Sequence, residues 1–464
     1  MGVLSMTTKN MTEQLKTAEL AELDKKHFLH PATNPKSLVD NGPAVIFAEG
    51  KGIMVTSTDG IEYIDGMSML WNVNLGHGNQ ELAEAGNLQL STLACTSQFK
   101  GFSNEPAIRL AEKLASLAPG DLNSVFYTSG GSESNDTAIK LARFYWELKE
   151  KPEKRKFIAL TNAYHGVTVA AQTATGLTAY HNFSGSNIEG VVRATAYLLD
   201  SEQGDKNAPN YENSIRATIE REGADTIAGI MIEPVQGAGG VNIPPEGYLE
   251  AVRKLCDEYN ILLLADEVIC GFGRTGKMFG VNNWNVVPDM MSIAKGLTSG
   301  YAQLGGVMMN DEIKETIARF DAVVPHGFTY SGHPTACAIG LKNIEIIERD
   351  HIVDNAKNME LELKKGLKFL EEKHSIVTNC RAIGLLAAFE LYEDPASGKL
   401  FDPTVFPANA VVDACFDRQL IVRALGAHNQ IIAIAPPLII NKAEIEKMIQ
   451  IIDEAITAFK ETLN

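Results

Sequence analysis

The stretch from residue 261 to residue 300, ILLLADEVICGFGRTGKMFGVNNWNVVPDMMSIAKGLTSG, decides the fold. It begins with five apolar residues, a pattern typical of a buried parallel strand, and Asp266 and Glu267 follow directly. A second short apolar run, residues 290–294, leads into Lys295. Because open α/β sheets bind their ligands at the carboxyl ends of the strands, we expect these carboxylates and the lysine to share one site.

The lysine in this stretch has the surroundings of a nucleophile. Apolar neighbours remove water from its amine, which lowers the pKa and leaves more of the amine neutral. Pyridoxal phosphate needs a lysine for a Schiff base and an acidic group beside its pyridine nitrogen. We therefore predict that Lys295 binds pyridoxal phosphate and that Asp266 pairs with the ring nitrogen. Either residue alone would also fit a strand-end cap or a surface lysine, and the two together favour the cofactor.

The same stretch carries a family resemblance. Asp-Glu-Val from Asp266, GFGRTG from Gly271 and the lysine at Lys295 resemble, in order and spacing, the class III pyridoxal-phosphate-dependent aminotransferases, the omega-transaminase group. The resemblance implies an α/β protein with the architecture of the fold type I pyridoxal-phosphate enzymes. Such enzymes have a large domain, with a mostly parallel sheet of the seven-stranded type covered by helices, and a smaller α+β domain.

Strand and helix patterns alternate through the middle of the chain, which independently predicts a mostly parallel sheet with helices on both faces. Beyond Ser331 a helical pattern continues through Lys373, and shorter strands and helices follow. We predict an N-terminal segment over residues 1–65 that packs with the small domain and a dimer partner, a large cofactor-binding domain over 66–334, and a small domain over 335–464. The strand candidates of the large domain are SVFYT (124–128), KFIAL (156–160), IAGIMIEP (227–234), ILLLADE (261–267), MMSIA (290–294) and QLGGVMM (303–309).

A glycine-rich turn, TSGGSESND at residues 128–136, lies between a predicted strand and a predicted helix. The start of a helix offers free N–H groups and a positive dipole end to a phosphate, although such turns are common. The motif resembles the phosphate turn of the class III enzymes, with Gly130 and Ser134 in place of a usual serine and alanine. The resemblance implies that Gly131 and Ser132 bind the cofactor phosphate.

Two further strand-end motifs resemble those of the family, YHG at Tyr164 and EPVQG at Glu233. The resemblance implies that Tyr164 stacks on the cofactor ring, that Val268 covers the opposite face, and that Glu233 orients its neighbours. We treat His165 as structural, because in transamination the released lysine can itself move the proton.

Three further residues are assigned by resemblance alone, as Val268 is. HGFTYSGHP at residues 326–334 resembles the segment whose threonine reaches the phosphate of the neighbouring subunit. The resemblance implies that Thr329 reaches the partner's cofactor, so we expect a homodimer with active sites at the interface. The choice between a dimer and a tetramer stays open. Arg423 resembles the arginine that binds an acceptor carboxylate through two parallel hydrogen bonds and swings aside for apolar amines. Trp71 resembles the aromatic wall of the substrate pocket, to which Tyr164 also contributes.

Composition narrows the class of protein. The chain has 464 residues, and its 41 basic and 58 acidic side chains give a net charge of −17, which argues against a nucleic-acid-binding surface. The six cysteines are scattered and the ten histidines lack ligand spacing, so we expect reduced thiols and no metal. No apolar run reaches the roughly 18 residues that cross a bilayer. The polar N-terminal region lacks the apolar core of a signal peptide, and we expect a cytoplasmic protein without a membrane partner.

The expected reaction moves an amino group from a primary amine or omega-amino acid to pyruvate or another keto acid, giving an aldehyde or ketone plus alanine. An aminomutase and a decarboxylating relative would carry the same motifs.

Outside this chemistry, a phosphate- or nucleotide-binding module could use the SGGS turn. GFGRTGK also has the P-loop spacing, but Met278 replaces the required Ser or Thr and no helix pattern follows. The sequence leaves the amine donor, the acceptor and the stereochemistry open.

Overall fold

The structure is a computed structural model that describes residues 16–184, 187–197, 199 and 211–463. Residues 16–27 form a helix, α1. The other helices are α2 (Pro35–Asn41), α3 (Ser68–Trp71), α4 (Gln80–Thr92), α5 (Glu105–Leu117), α6 (Gly131–Leu148), α7 (Val169–Ala174), α8 (Thr178–Ser184), α9 (Ile215–Glu222), α10 (Tyr248–Tyr259), α11 (Asp311–Ala318), α12 (Pro334–Arg349), α13 (Ile352–Lys373), α14 (Pro407–Asp417) and α15 (Lys442–Glu461).

The strands form three sheets. They are β1 (Phe47–Lys51), β2 (Met54–Ser57), β3 (Glu62–Asp65), β4 (Ser124–Thr128), β5 (Lys156–Leu160), β6 (Val191–Ala194), β7 (Ile227–Ile232), β8 (Leu262–Asp266), β9 (Met290–Ile293), β10 (Gly305–Met309), β11 (Val377–Ile383), β12 (Leu386–Leu391), β13 (Leu420–Ile421), β14 (Arg423–Leu425) and β15 (Ile431–Ile434).

The largest sheet has seven strands in the order β4-β10-β9-β8-β7-β5-β6. Only β10 runs antiparallel to its neighbours, and the pairs from β9 to β6 are parallel. All six strand candidates form strands here, so the predicted mostly parallel sheet is confirmed. β6 was not predicted, and it is short and only partly buried along most of its length.

Helices cover both faces of this sheet, because its central strands are apolar on both sides. Leu262 and Leu264 of β8 pack in a core cluster with Trp146 of α6, on one face. Leu263, between them, packs with Val252 of α10 on the other face. Successive side chains of a strand point to opposite faces, so both faces of β8 are buried. The polar residue of β8, Asp266, stands at its carboxyl end.

The predicted helical run through Lys373 is wrong as one continuous helix. It divides into α12 and α13 at Asp350 and His351, and His351 has the left-handed backbone angle φ 52°. The break lets α12 pack against α4 and α5, while α13 packs against β11 and α15. No proline or glycine marks this break, so the sequence pattern gave no signal for it.

The N-terminal strands join the C-terminal part of the chain. β1, β2 and β3 form a four-stranded sheet with β13, and β13 pairs with β3 in parallel, Leu420 opposite Ile64. The third sheet, β11-β12-β15-β14, is antiparallel and packs with α13 to α15. Within the described residues, none of the helices combines the length and the apolar character needed to cross a membrane.

A buried lysine supports one end of the large sheet. Lys154 is 1% exposed, and its Nζ donates to the carbonyl oxygens of Ala224, Ile227 and Asn260 at 2.9, 3.2 and 2.9 Å. Burial lowers the pKa of Lys154 to about 8. The three carbonyls have this amine as a shared donor, so it contributes to stability by satisfying them.

Replacing Lys154→Met is expected to lower the free energy of unfolding by about 2–3 kcal/mol, because the carbonyl groups lose their donor while the volume stays filled. Urea denaturation followed by circular dichroism measures this. The control is Lys254→Met on α10, an exposed lysine whose loss should change stability by less than about 0.5 kcal/mol. Equal stability of the two variants would contradict the role given to Lys154.

Candidate active site

A buried carboxylate at the end of β8 is the centre of the site. Asp266 is 4% exposed, and its Oδ2 accepts hydrogen bonds from Asn135 Nδ2 at 2.7 Å and from His165 Nδ1 at 2.8 Å. Its Oδ1 accepts the backbone N–H of Val268 at 3.1 Å. Burying a carboxylate is costly unless donors surround it, and these three groups provide them.

Asn135 was not predicted as part of the site, and His165 was predicted as structural without a partner; both contact Asp266. Asn135 lies on α6 and also donates to the backbone oxygen of His165 at 2.7 Å. The His165 backbone N–H donates to Thr175 Oγ1 at 2.9 Å, and its ring Nε2 has no partner among the described residues. Both residues stand inside the motifs TSGGSESND and YHG. Their contacts with Asp266 join segments that are far apart in the sequence, so spacing along the chain does not indicate them.

Two buried glutamates fix the backbone around the site. Glu233, just after β7, accepts hydrogen bonds from the N–H groups of Tyr164 at 2.9 Å and Gly237 at 3.0 Å. Glu267 accepts those of Gly280 and Val281, both at 2.8 Å, at the start of a short 3-10 turn. Burial raises the pKa of each glutamate to about 7. Their contacts are with backbone groups, as expected of residues that orient loops.

Lys295 stands two residues after the end of β9, the neighbour of β8, and has the strained left-handed angle φ 47°. Its side chain is only partly exposed, and no described residue accepts a hydrogen bond from Nζ. Loss of water around the amine lowers the pKa of Lys295 to about 8, although the carboxylates of Asp266 and Glu233 act in the opposite direction. The lysine therefore has a neutral, nucleophilic fraction near pH 8.

Trp71 brings the lysine and the predicted substrate arginine into one region. Lys295 Nζ lies 5.7 Å from the centre of the Trp71 ring, and the guanidinium carbon of Arg423 lies 5.3 Å from it. The indole is 3% exposed. Within the described part of the chain, no carboxylate forms an ion pair with Arg423.

The backbone that carries Trp71 is strained. Ser68, Met69 and Trp71 have positive φ angles of 45°, 54° and 59°, each of which costs about 1–3 kcal/mol for a residue with a Cβ. The carboxylate of Asp65 accepts hydrogen bonds from the N–H groups of Met67 at 3.1 Å and Met69 at 2.9 Å. A segment of this shape persists because its surroundings hold it.

The predicted phosphate turn is the start of α6. Its N-cap residue, Gly130, provides no side-chain cap, so the first N–H groups of an 18-residue helix lack a side-chain acceptor at the cap. A Cβ on Gly131 would lie 2.7 Å from Val268 Cγ1, so glycine is required by the close approach of α6 to the end of β8. Ser132 Oγ accepts the N–H of Val167 at 3.2 Å.

Of two remaining predicted residues, Tyr164 is attached to this cluster through Glu233 and Thr329 is not. The Tyr164 ring meets the Tyr180 ring edge-on at 5.4 Å, and burial raises the pKa of Tyr164 to about 12. Thr329 is exposed, and no described hydrogen bond joins its side chain to the other residues. Its turn is attached to β4 through Ser331 Oγ, which donates to the Tyr127 carbonyl at 2.8 Å. The structure thus brings together the other predicted residues, but not Thr329.

Comparison with known proteins identifies the family. Residues 38–456 match the family model described as aminotransferase class III. The chain belongs to the class III aminotransferases. It is 37% identical over 440 residues to the putrescine–pyruvate aminotransferase of Pseudomonas aeruginosa, covering 94% of this chain and 95% of that one.

Solved structures agree with this assignment. A transaminase from the marine bacterium Virgibacillus has a TM-score of 0.92 at 47% identity, covering 96% of this chain and all (100%) of that one. An (S)-enantioselective omega-transaminase from Thermomicrobium roseum has a TM-score of 0.90 at 43% identity, covering 95% and 98%. The predicted family, fold type, enzyme class and cofactor are therefore confirmed, since class III aminotransferases depend on pyridoxal phosphate.

The lowered pKa of Lys295 predicts how the aminotransferase takes up its cofactor. Only the neutral amine is a nucleophile, so the rate at which cofactor-free protein combines with pyridoxal phosphate should rise with pH through about 8 and then level off. Growth of visible absorbance after mixing, from about pH 6 to about pH 10, measures this rate. A rate that still climbs beyond about pH 9, as for an ordinary lysine, would contradict the desolvation of Lys295.

The packing of Gly131 predicts a second effect. Gly131→Ala places a Cβ against the stiff Val268 side chain, so α6 must shift away from β8, and pyridoxal phosphate should bind about tenfold more weakly. Absorbance titration of the cofactor-free protein gives the dissociation constant. Gly130→Ala is the matched control, because a Cβ there meets nothing within 4 Å and its φ of 179° suits any residue. Equal binding by the two variants would show that the close approach is unimportant.

Proposed function

We propose that this aminotransferase moves an amino group from a primary amine or omega-amino acid to pyruvate or another keto acid, producing an aldehyde or ketone plus alanine or the matching amino acid. One observation carries the proposal: the Trp71 ring lies against both Lys295 Nζ and the Arg423 guanidinium. The reactive amine, an apolar wall and a group that can bind a carboxylate are therefore neighbours.

This arrangement suits two different substrates in turn. The indole offers apolar surface to the carbon chain of an amine that has no carboxylate of its own. The guanidinium of Arg423 can form two parallel hydrogen bonds with the carboxylate of a keto acid, which would direct the keto carbon towards Lys295. The name of one relative, a putrescine–pyruvate aminotransferase, supports the same pair of substrate classes.

The residues of the site fit pyridoxal phosphate. The phosphate needs N–H donors, which the start of α6 offers without a competing side-chain cap, and the ring nitrogen needs a buried carboxylate, which Asp266 offers. When bound, the cofactor supplies an aldehyde that condenses with amines and a ring that takes up negative charge. In this proposal the residues that hold it are Gly131, Ser132, Tyr164, Glu233, Asp266, Val268, Lys295 and Thr329.

Each side chain has a defined task in the proposal. Lys295, with its pKa lowered to about 8, can both accept and donate a proton near neutral pH, as a general acid and base must. Asn135 and His165 keep the carboxylate of Asp266 oriented. Glu233 holds the backbone of Tyr164, and Trp71 limits the access of water to the lysine.

We also propose a homodimer in the cytoplasm, with Thr329 directed to the partner's cofactor. Thr329 is exposed on a turn attached to β4, the strand that leads into the phosphate turn. A groove of about 750 Å³ includes Leu90 and Tyr330, the residue after Thr329. The exposed large apolar residues of segment 88–102, together with Tyr330, are Leu88, Leu90, Leu93, Phe99, Phe102 and Tyr330. Apolar patches of this kind are typical of protein interfaces.

The test is the visible absorption of the purified enzyme with pyridoxal phosphate. Adding an amine such as putrescine without a keto acid is expected to bleach the band once, and adding pyruvate should restore it and release alanine. Lys295→Ala is the control and should show neither response. Sustained turnover without an acceptor would favour an aminomutase, and release of carbon dioxide a decarboxylating enzyme. A protein that stays colourless and binds ATP would contradict the proposal entirely.

Arg423→Gln is expected to raise the KM for pyruvate by about tenfold or more, because a charge-assisted pair contributes about 1.5–3 kcal/mol. Bleaching by an amine without a carboxylate should change far less. Steady-state kinetics and single-turnover bleaching separate the two effects. Arg418→Gln, at the end of α14, is the control and should leave both unchanged. Equal losses in both half-reactions would contradict the carboxylate role of Arg423.

A further inference from the structure

Arg274, in the GFGRTG turn, is a fully buried cation that the chemistry above does not use. Its Nη1 donates to the carbonyl oxygens of Leu385 at 2.9 Å and Pro436 at 2.7 Å. Its Nη2 donates to Ser68 Oγ at 2.8 Å and to Asn74 Oδ1 at 3.0 Å. The guanidinium thus connects three separate parts of the chain through four hydrogen bonds.

The two acceptors of Nη2 are on either side of Trp71. Ser68 Oγ in turn donates to the carbonyl of Ala435 at 2.8 Å, and Asn74 Nδ2 donates to the carbonyl of Phe272 at 3.0 Å. Both ends of segment 68–74 are therefore attached to Arg274 and to backbone carbonyls close in sequence to Arg274 or to its acceptor Pro436. The acceptors of Nη1 lie just before β12 and just after β15, in the C-terminal sheet.

Segment 68–74 needs such support, because it is the strained stretch with positive φ at Ser68, Met69 and Trp71. Left-handed angles at residues with a Cβ persist only where surrounding contacts determine them. Asp65 provides part of this support from the N-terminal side, through the N–H groups of Met67 and Met69. Arg274 provides a further part from inside the protein, through Ser68 and Asn74.

We propose that Arg274 is a positioning residue that fixes the Trp71 indole against Lys295 and Arg423 by attaching segment 68–74 to Leu385 and Pro436. The indole is the contact surface of the proposed function, so the substrate-related half of this inference rests on that function. The claim that Arg274 fixes the position of the Trp71 side chain does not rest on that function, since it concerns the cofactor-free protein.

The proposal depends on the fork of donors that only arginine has. A lysine keeps the positive charge, but a single ammonium cannot reach acceptors on two sides in the same geometry. Arg274→Lys therefore removes the connection while limiting the change in charge. Ser68→Ala is a milder variant that deletes one acceptor of Nη2 and leaves the guanidinium in place.

The first measurement uses fluorescence of the cofactor-free protein. Trp71 emission is isolated by subtracting the spectrum of the same protein carrying Trp71→Phe, which removes the contributions of Trp146 and Trp284. In Arg274→Lys the Trp71 emission is expected to shift to longer wavelength and become more readily quenched by acrylamide, and Ser68→Ala should do the same to a smaller degree. Lys154→Met, the buried-cation control, should leave the Trp71 emission unchanged despite its lower stability.

The second measurement is a double-mutant cycle on kcat/KM for an amine and pyruvate. Arg274→Lys is expected to lower kcat/KM about tenfold when Trp71 is present and less than about twofold in a Trp71→Ala background, because coupled residues are not additive. Equal losses in both backgrounds, or unchanged Trp71 emission, would overturn the proposal. If Arg274→Lys does not fold, Ser68→Ala decides by the same two criteria. If the parent protein has no transaminase activity, the proposed function fails, while the fluorescence result still judges Arg274.

Discussion

Desolvation of one carboxylate, that of Asp266, is the constraint on which the rest of the site depends. A carboxylate removed from water at the end of a central strand must be given hydrogen-bond donors. α6 supplies Asn135, the loop after β5 supplies His165, and the turn after β8 supplies a backbone N–H. These contacts fix the start of α6 and the YHG loop relative to β8, the three segments that form the proposed cofactor site.

Most of the large domain could be predicted from the sequence, because a short apolar run that ends in polar residues is typical of a buried parallel strand. The exceptions have physical causes. β6 is a short, half-buried edge strand, and its pairing with β5 depends on a neighbour that local pattern does not reveal. The division between α12 and α13 at His351 follows from packing against different partners, which overrides a continuous helical pattern.

The placement of a site residue was predictable where its neighbours along the chain indicate a strand end or a helix start, as for Lys295 after an apolar strand and Gly131 at the start of a helix. It was not predictable where the role arises from contacts between distant segments. Nothing local to Arg274 indicates that its guanidinium holds the two ends of segment 68–74. The contact of His165 with Asp266 is of the same kind, since it joins residues on different strand ends. Such roles come from packing and require coordinates.

The central claim is that Lys295 is the lysine that binds pyridoxal phosphate, because its amine is removed from water near the buried carboxylate of Asp266. The most direct measurement is to incubate the protein with the cofactor, reduce with borohydride, digest, and locate the modified lysine by mass spectrometry. The account predicts a pyridoxyl group on the peptide that contains Lys295, and its absence when an excess of amine donor is added before reduction. Modification of another lysine, such as the buried Lys154, or of none, would contradict it.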